Sequence, residues 1–515
     1  MIDATPLLRT YARYRRHQLV RQRPAGQQTG LLLGLICHAA ATRFGRGHGF
    51  GHINSVADFQ ARVPLRAYED FWAAYWRGAF PTLTNVSWPG TIPTFAVTSG
   101  TTTGETKYIP LTRAMLRANS RAAADILVHH IAAKPASRVL AGRSFMLGGS
   151  SRLVHEVPGI FSGDISGIAV DRMNWWARRR YFPPPTLARI DDWEEKIAAL
   201  ADRALSADLR LIGGTPSWLL SFFDHLASVH PSYENRAASL FPDLEVLVHG
   251  GVHFAPYRTW FAGWLEGSAA ELREVYAASE GFIGVADGAP GAGMRLALDA
   301  GVFYEFVPLS ELESAAPTRH WVDTIETGVD YAVVMTTCAG LWAYLLGDVV
   351  RFVERDPPRL LVVGRTSAML SATGEHVIGE ELEESIAAAA AAIGESVTDF
   401  SAGTRFPERG GEVCAHVYVV EFARNPGSAP IGIFSDVLDK TLCATNADYR
   451  AHRPLSLAAP VVEVVPPGTF AAWMKRRGKL GGQHKVPRII NDGALFDDLR
   501  AFCAAASYGG SPGGT

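Results

Sequence analysis

Short apolar runs that end in glycine turns alternate with helical patterns along much of the chain. Leu209–Gly214 and Leu244–Gly251 are two such runs, and Pro216–Val229 between them repeats apolar residues at helical spacing. Strands linked through helices pair in parallel, so the pattern predicts an α/β fold with a largely parallel sheet. Ligands bind such sheets at the strand ends, where these glycines stand. Further predicted elements are helices within residues 1–75 and over Asp191–Leu205, and a strand over Ala141–Leu147.

The chain has 515 residues, which is long enough for two or three domains. Asp356-Pro357-Pro358 interrupts it, and we place a domain boundary near Gly364. The sequence thus predicts a large N-terminal domain over 1–364 and a small, mobile C-terminal α+β domain over 365–515. In the C-terminal part it predicts one helix and two strands, over Glu380–Ile393, Val413–Phe422 and Val461–Val465.

Charge and cysteine content exclude several classes of function. The formal net charge of -2 argues against a nucleic-acid partner, because phosphate backbones require a basic surface. The five cysteines are scattered without C-x-x-C spacing, which predicts reduced, mostly buried thiols of a cytoplasmic protein. The apolar run Leu31–Cys37 is too short to span a membrane, and arginines interrupt the region where a secretory signal needs an apolar core. We expect no membrane partner; the oligomeric state stays open and is compatible with a monomer.

One polar segment is typical of a phosphate-binding loop. Glycines let the backbone approach a polyanion, hydroxyl and N–H groups donate to phosphate oxygens, and a lysine adds positive charge. The spacing differs from the Walker loop, because two residues separate Gly104 from Lys107. A polar surface loop is the alternative interpretation. The candidate phosphate-binding residues are Ser99, Gly100, Thr101, Thr102, Thr103, Gly104 and Lys107.

A second candidate segment contains Tyr276, Ser279, Glu280 and Gly281. An aromatic ring four residues before an acid can lie against a nucleotide base while the carboxylate lies near the phosphates. A carboxylate among phosphates requires a bridging cation, and Mg²⁺ bound by one carboxylate and phosphate oxygens is the ordinary arrangement. The alternative for Glu280 is a helix-capping or solvated acid.

A third candidate is Asp348, which follows Gly347 within an apolar region. Its carboxylate can accept hydrogen bonds from both ribose hydroxyls of a nucleotide, as an acid does in dinucleotide-binding folds. The alternative is an aspartate in a tight turn.

The last candidates lie beyond the predicted boundary. Arg365 follows Gly364, and Lys485 stands in a glycine-rich segment that begins at Gly481. A lysine on a mobile domain can swing in to neutralise a transferring phosphate or a leaving pyrophosphate. The alternative for Lys485 is an ordinary surface lysine, and His376 either orients the hinge loop or satisfies its own backbone.

Taken in their order along the chain, these candidate segments resemble those of acyl-adenylate-forming enzymes. In the common members of that class the phosphate loop reads T-S-G-T-T-G-x-P-K. Here one extra residue follows the threonines. This variant, with Y-x-S-E-G and H-K-x-P-R, resembles the Gretchen Hagen family of acyl acid–amido synthetases. The resemblance covers nearly the whole chain, and its motifs look bacterial. Further matching segments are Ala41–Gly45, Asp58–Glu69, Gly163–Ser166 and Gly374–Gly379.

The resemblance implies a binding site for ATP and Mg²⁺. Glu280 would hold Mg²⁺, Asp348 the ribose hydroxyls, and Arg365 would assist at the ribose from the hinge side. Lys485 would act on the phosphates, with Lys479 as a rival for that role. The phosphates would contact the loop from Ser99 to Lys107. The adenine would lie at the edge of the strand-end loop His249-Gly250-Gly251 with Tyr276 close by, and Ser279 would also belong to the nucleotide site.

The resemblance implies a ligase that works in two half-reactions. A carboxylic acid is first adenylated by ATP with release of pyrophosphate, and an amine, expected to belong to an amino acid, then takes the acyl group. Two alternatives remain: transfer to the thiol of coenzyme A or a carrier protein, and a catalytically silent nucleotide-binding homologue. The acyl acid is not fixed by the sequence, although apolar stretches can line its pocket: Phe145–Gly149, Trp175-Trp176 and Trp218–Phe222.

Overall fold

The protein forms two compact units, Met1–Val362 and Val363–Thr515. The structure, a computed structural model, describes residues 2–99, 106–148, 153–188, 190, 193–250, 254, 257–312, 314–366, 369–370, 377–405, 414–424, 426–446, 449–450, 453, 457–478 and 485–508. None of the described helices is both long and apolar enough to cross a membrane.

The first unit opens with helices, as the sequence predicts. Local signals explain their starts: proline occupies the first turn of the second helix, and the Ser55 and Thr112 side chains cap the helices that follow them. The helices of this unit are α1 Thr5–Val20, α2 Pro24–Ala39, α3 Arg43–Gly47, α4 Val56–Arg62, α5 Tyr68–Phe71, α6 Arg113–Ala133, α7 Ile165–Asp171, α8 Trp175–Arg178, α9 Pro185–Ala188, α10 Trp193–Ala204, α11 Pro216–Val229, α12 Ala237–Leu240 and α13 Arg258–Leu265.

Sixteen strands are described in the first unit or across its end. They are β1 Thr94–Ser99, β2 Thr106–Leu111, β3 Arg143–Leu147, β4 Leu153–Val157, β5 Ile160–Gly163, β6 Tyr181–Phe182, β7 Leu209–Gly214, β8 Val246–Gly250, β9 Glu271–Ala278, β10 Gly281–Val285, β11 Met294–Leu296, β12 Val302–Pro308, β13 His320–Trp321, β14 Asp330–Thr337, β15 Tyr344–Arg355 and β16 Pro358–Arg365.

Twelve of these strands, counted over the described residues, form one sheet in the order β13-β12-β14-β15-β16-β11-β10-β9-β8-β7-β3-β6. Pairing is parallel from β6 to β9, where helices join successive strands. Pairing is antiparallel from β9 through β10 to β11, and again from β15 through β14 and β12 to β13. The sheet is therefore mixed, because short turns replace the connecting helices between its antiparallel strands.

Helices cover both faces of the parallel half. One face packs α10, α11 and α13 around buried residues such as Phe222 and Phe261, and the other packs α1 and α6 around Val246 and Val248. Side chains alternate between the faces along β8, which is why Leu247 joins the first cluster and its neighbours join the second. A smaller sheet, β2-β1-β5-β4, lies in the same unit.

The described elements of the second unit are β17 Met369–Leu370, β18 Val377–Ile378, α14 Gly379–Ala392, β19 Val397–Arg405, β20 Ala415–Phe422, α15 Ser428–Thr445, β21 Val461–Val465, α16 Thr469–Arg476 and α17 Gly493–Tyr508. They include the three-stranded sheet β19-β20-β21 and the strand pair β17-β18. The predicted helix and two strands appear here as α14, β20 and β21, within two residues of the predicted bounds. β19 and α15 were not predicted from the sequence.

The cysteines are free thiols. Cys338 and Cys503 are buried, Cys414 and Cys443 are partly exposed, and Cys37 is exposed, so fewer thiols are buried than the sequence predicts.

Candidate nucleotide site

The predicted phosphate loop joins the two strands of a hairpin. β1 and β2 pair antiparallel, with Ser99 opposite Thr106 and Thr98 opposite Lys107. The backbone of Ser99 ends β1. A number of the predicted residues lie outside the part of the chain that the structure describes: Gly100, Thr101, Thr102, Thr103, Gly104, Gly251, His376 and Lys479.

Lys107 is held by two consecutive residues of α5. Its Nζ lies 3.2 Å from Oε1 of Glu69, and the same atom lies 5.2 Å from the centre of the Tyr68 ring. The Tyr68 hydroxyl also accepts a hydrogen bond from the backbone N–H of Tyr108 at 2.9 Å. The first two residues of α5 therefore hold the ammonium group of Lys107 and the backbone of Tyr108, two residues that follow the loop.

The start of α5 is also joined to the strand that carries Asp348. The N–H of Arg66 donates to the carbonyl of Ala343 at 3.0 Å, and the N–H of Leu345 donates back to Arg66 at 2.8 Å. These bonds place the segment before Tyr68 beside Tyr344, the first residue of β15.

Glu280 occupies a two-residue turn between β9 and β10, since Ala278 pairs with Gly281. The residue is only 8% exposed, so the interpretation as a solvated acid is wrong, and it lies between two strands and not at the end of a helix. The Tyr344 hydroxyl donates to Oε1 of Glu280 at 3.2 Å. Burial, followed by the negative charges of Glu280 and Glu69, raises the pKa of Tyr344 well above its usual value. Tyr344 therefore stays protonated and serves as a donor.

Asp348 lies within β15 and is also 8% exposed, so the turn interpretation is wrong. The pairing with β14 jumps from Leu345 to Val349, and Gly347 between them has φ of 90°. Only glycine adopts this conformation without strain, so Gly347 allows the bulge that redirects the strand at Asp348. The Tyr276 hydroxyl donates to Oδ2 of Asp348 at 2.7 Å.

Two tyrosine–carboxylate hydrogen bonds link the β9–β10 hairpin to β15 reciprocally. Tyr276 and Glu280 stand four residues apart on the β9–β10 hairpin, and Tyr344 and Asp348 stand four residues apart on β15. Each segment thus contributes one tyrosine and one acid, and each tyrosine binds the acid of the other segment. Buried carboxylates require such donors, because an unpaired buried charge is costly.

The carboxyl ends of β7, β8 and β9 meet beside these pairs. Gly250 pairs with Val275, and a Cβ at Gly250 would collide with the carbonyl oxygen of that residue, which explains the glycine. His249 stacks on Phe254 with ring centroids 3.6 Å apart. Burial lowers the pKa of His249 to about 3, so the imidazole is neutral near pH 7.

Two predicted site residues belong to the second unit. Arg365 ends β16 and is exposed, and Lys485 is exposed as well. Lys107, Tyr276, Glu280 and Asp348 lie in the first unit with Ser279, which precedes Glu280 in the turn.

The buried acids Glu280 and Asp348 suit a metal ion that a bound ligand also coordinates. They suit a metal ion held by protein side chains alone less well. Among the described residues no group of three or more His, Cys, Asp or Glu side chains is placed to hold a metal ion. Glu280 is a buried carboxylate with a fixed orientation, which suits Mg²⁺ held by one carboxylate, phosphate oxygens and water.

Tyr68, Glu69 and Tyr344 belong to the site although no role was predicted for them from the sequence. A signal was present, because Tyr344 repeats the spacing of Tyr276, four residues before an acid. Glu69 and Lys107 come from separate segments of the chain, so no local sequence pattern indicates their ion pair.

A pocket opens at the carboxyl end of β3. Phe145 to Gly148, which the sequence offered as lining for an acyl group, line it. Lys196, which the sequence analysis did not single out, is 4% exposed there and donates to the carbonyls of Gly148 and Ala188 at 3.2 and 3.4 Å. Trp175 and Trp176 are exposed, and Phe222 is core.

Three family models match the chain in sequence order. They are described as the GH3 family N-terminal, central and C-terminal domains and match residues 13–205, 295–365 and 380–494. Together they match more than half of the chain. The chain belongs to the GH3 family.

Curated GH3 proteins are also similar to this chain in sequence. Jasmonoyl–L-amino acid synthetase GH3.5 of Oryza sativa subsp. japonica is 29% identical over 240 residues, which are 42% of this chain and 40% of that protein. Indole-3-acetic acid-amido synthetase GH3.3 of Arabidopsis thaliana is 24% identical over 312 residues, 57% of this chain and 51% of that protein. The matched region spans about half or less of each curated relative.

The solved structure of a GH3.15 acyl acid amido synthetase has a TM-score of 0.76 to this chain at 18% identity. The match covers 95% of this chain and 94% of that one. This likeness confirms the predicted fold class, an α/β fold with distinct N- and C-terminal domains.

Proposed function

We propose that this protein is an ATP-dependent acyl acid–amido synthetase, a ligase that joins a carboxylic acid to an amine through an acyl-adenylate. The reciprocal pairing of Tyr276 with Asp348 and of Tyr344 with Glu280 carries the proposal. It holds two buried acids in fixed orientations, and the contacts of α5 place Lys107 in the same neighbourhood. A cation and two oriented carboxylates are the groups that a nucleoside triphosphate with its metal requires.

In the first half-reaction, a carboxylate oxygen of the acid attacks the α-phosphorus of ATP, and the bond to the bridging oxygen breaks to release pyrophosphate. Lys107 neutralises phosphate charge, and Asp348 accepts hydrogen bonds from the ribose hydroxyls. Glu280 holds Mg²⁺, which supplies positive charge against the phosphate oxygens. Catalysis rests on positioning and charge neutralisation, so no protein nucleophile is needed.

In the second half-reaction, the nitrogen of an amine attacks the acyl carbon, the bond to AMP breaks, and the amine proton passes to solvent. We propose that the amine belongs to an amino acid, as the name of the rice relative indicates for that protein. We further propose that residues 1–364 bind ATP and acid while the small domain, 365–515, brings Arg365 and Lys485 to the nucleotide.

The pocket at the end of β3 is our candidate for the apolar body of the acid. Most of the residues that line it are apolar, which suits the carbon skeleton of an acid. We also infer a bacterial source from the motif variants Gly163–Ser166 and Gly374–Gly379, and a cytoplasmic location from the scattered cysteines.

The test is a pyrophosphate-release screen of carboxylic acids with MgATP, followed by amino acids and other amines offered with the best acid. Mass spectrometry of an amide product would support the proposal. If a thioester forms with coenzyme A or a carrier protein and no amide forms, the acyl acceptor is a thiol and not an amine. ATP binding without pyrophosphate release with any acid would indicate a catalytically silent homologue.

A further inference from the structure

The lysine that follows the phosphate loop is already engaged by a carboxylate. Nζ of Lys107 lies 3.2 Å from Oε1 of Glu69, and the two side chains are 22% and 55% exposed. The same ammonium group is needed by the phosphates if the proposed function is correct, so Glu69 and the nucleotide compete for one cation.

The position of Glu69 is fixed by its neighbours. Tyr68 is buried, and its ring stacks on that of Trp72 at 6.0 Å. On the other side, Oδ2 of Asp70 accepts a hydrogen bond from the N–H of Ala67 at 2.8 Å and caps the start of α5. Among the described contacts, the carboxylate that pairs with the Lys107 ammonium group is that of Glu69.

The ion pair is weak enough to exchange. Pairs between exposed side chains contribute little to stability, because water screens the charges and both side chains lose freedom. A triphosphate carries several negative charges and attracts the lysine more strongly than one half-exposed carboxylate does.

We infer that Glu69 is a displaceable counter-ion, which holds Lys107 in the nucleotide-free protein and releases it to the phosphates when ATP binds. The inference rests on the proposed function, since it assumes that ATP binds beside Lys107. Glu69 thus lowers the affinity for nucleotides that carry phosphates and keeps the lysine ordered without them.

Replacement of Glu69 by glutamine removes the competing charge and keeps the shape of the side chain. We expect Glu69→Gln to lower the Kd for MgATP about twofold to fivefold, the range that an exposed ion pair allows. The Kd for adenosine should not change, because adenosine has no phosphates. The effect should vanish in a Lys107→Met background, because the competition requires the lysine.

The experiment is isothermal titration calorimetry of the full chain with MgATP and with adenosine. Asp70→Asn is the matched control: it removes a charge next to Glu69, and asparagine retains an oxygen for the N–H of Ala67. Tighter MgATP binding by Glu69→Gln alone, absent with Lys107→Met, supports the inference.

Unchanged or weaker MgATP binding by Glu69→Gln overturns it, as does an equal gain with Asp70→Asn or a gain that persists without the lysine. Failure of the wild-type chain to bind MgATP would overturn the proposed function together with this inference. If the wild-type chain binds MgATP and Glu69→Gln binds it with the same affinity, only the role of Glu69 is overturned.

Discussion

The hydroxyl of Tyr276 donates a hydrogen bond to Oδ2 of Asp348 at 2.7 Å in the interior of the first unit. The two residues come from different strands of one sheet, and both are less than a tenth exposed. The bond helps to fix the orientation of this buried carboxylate. Asp348 is therefore oriented before any nucleotide arrives, which reduces the entropy cost of binding.

The first prediction concerns this pair. Asp348→Ala should weaken ATP binding by about 1.5–3 kcal/mol, the usual value for hydrogen bonds to a charged group. Tyr276→Phe retains the carboxylate and loses only its orienting donor, so its effect should be smaller. Titration calorimetry with ATP measures both. An unchanged ATP affinity of Asp348→Ala would remove this residue from the site.

The second prediction concerns the metal. Glu280→Gln keeps the shape of the side chain and removes its charge, so Mg²⁺-dependent pyrophosphate release should be lost while the thermal unfolding temperature stays close to that of the wild type. Tyr344→Phe is the matched variant, because it leaves the carboxylate in place and removes its donor. It should retain activity at a higher Mg²⁺ concentration. Normal turnover by a folded Glu280→Gln protein would show that the metal role is wrong.

The third prediction separates the half-reactions. Lys485→Ala should impair acyl-adenylate formation and spare amine transfer from a chemically supplied acyl-adenylate, because its charge is needed while negative charge moves onto pyrophosphate. Turnover should fall more than the KM for ATP rises. Equal damage to both steps would indicate a structural role. Damage from Lys479→Ala instead would transfer the role to that residue.

The fourth prediction concerns stability. Arg15 is 3% exposed and donates to Asp125 at 2.8 Å and to Asp299 at 2.7 Å, which ties α1 to the rest of the first unit. Arg15→Met leaves buried carboxylates without their cation and should lower the free energy of unfolding by about 3–5 kcal/mol. Arg16→Met, at the exposed next position, should change it by less than about 0.5 kcal/mol. Urea denaturation of both variants tests this, and equal losses would contradict it.

The fifth prediction concerns pH. Burial lowers the pKa of His249 to about 3, whereas an unfolded histidine titrates near 6.5. Between these values the unfolded chain binds the proton and the folded chain does not, so His249 stabilises the fold fully above pH 6.5 and loses this contribution as the pH falls. The contribution to the slope is at most about 1.4 kcal/mol per pH unit.

His249→Leu should flatten the dependence of unfolding free energy on pH between 5 and 6.5, as urea denaturation at several pH values would show. His52→Leu, at an exposed position, is the control and should leave the slope as in the wild type. A slope unaffected by His249→Leu would mean that this imidazole does not remain neutral on folding.

The sequence predicted much of the fold because its signals are local. The strand over Leu209–Gly214 and the helix over Pro216–Val229 appear with the bounds that their glycine and proline positions predict. β19 and α15 were missed, although β19 pairs along its whole length with the predicted strand β20. A strand of this kind is defined by its partner more than by its own composition.

The sequence by itself singled out Tyr276, Glu280, Asp348 and Lys107, because a glycine, a turn or a run of hydroxyls beside each is visible within a few residues. Only the tertiary structure decided their partners: Asp348 for Tyr276, Tyr344 for Glu280, and Glu69 for Lys107. The physical reason is that periodicity and turn chemistry depend on neighbours along the chain, whereas these contacts depend on which distant strands share a sheet and on the bulge that turns β15 at Gly347.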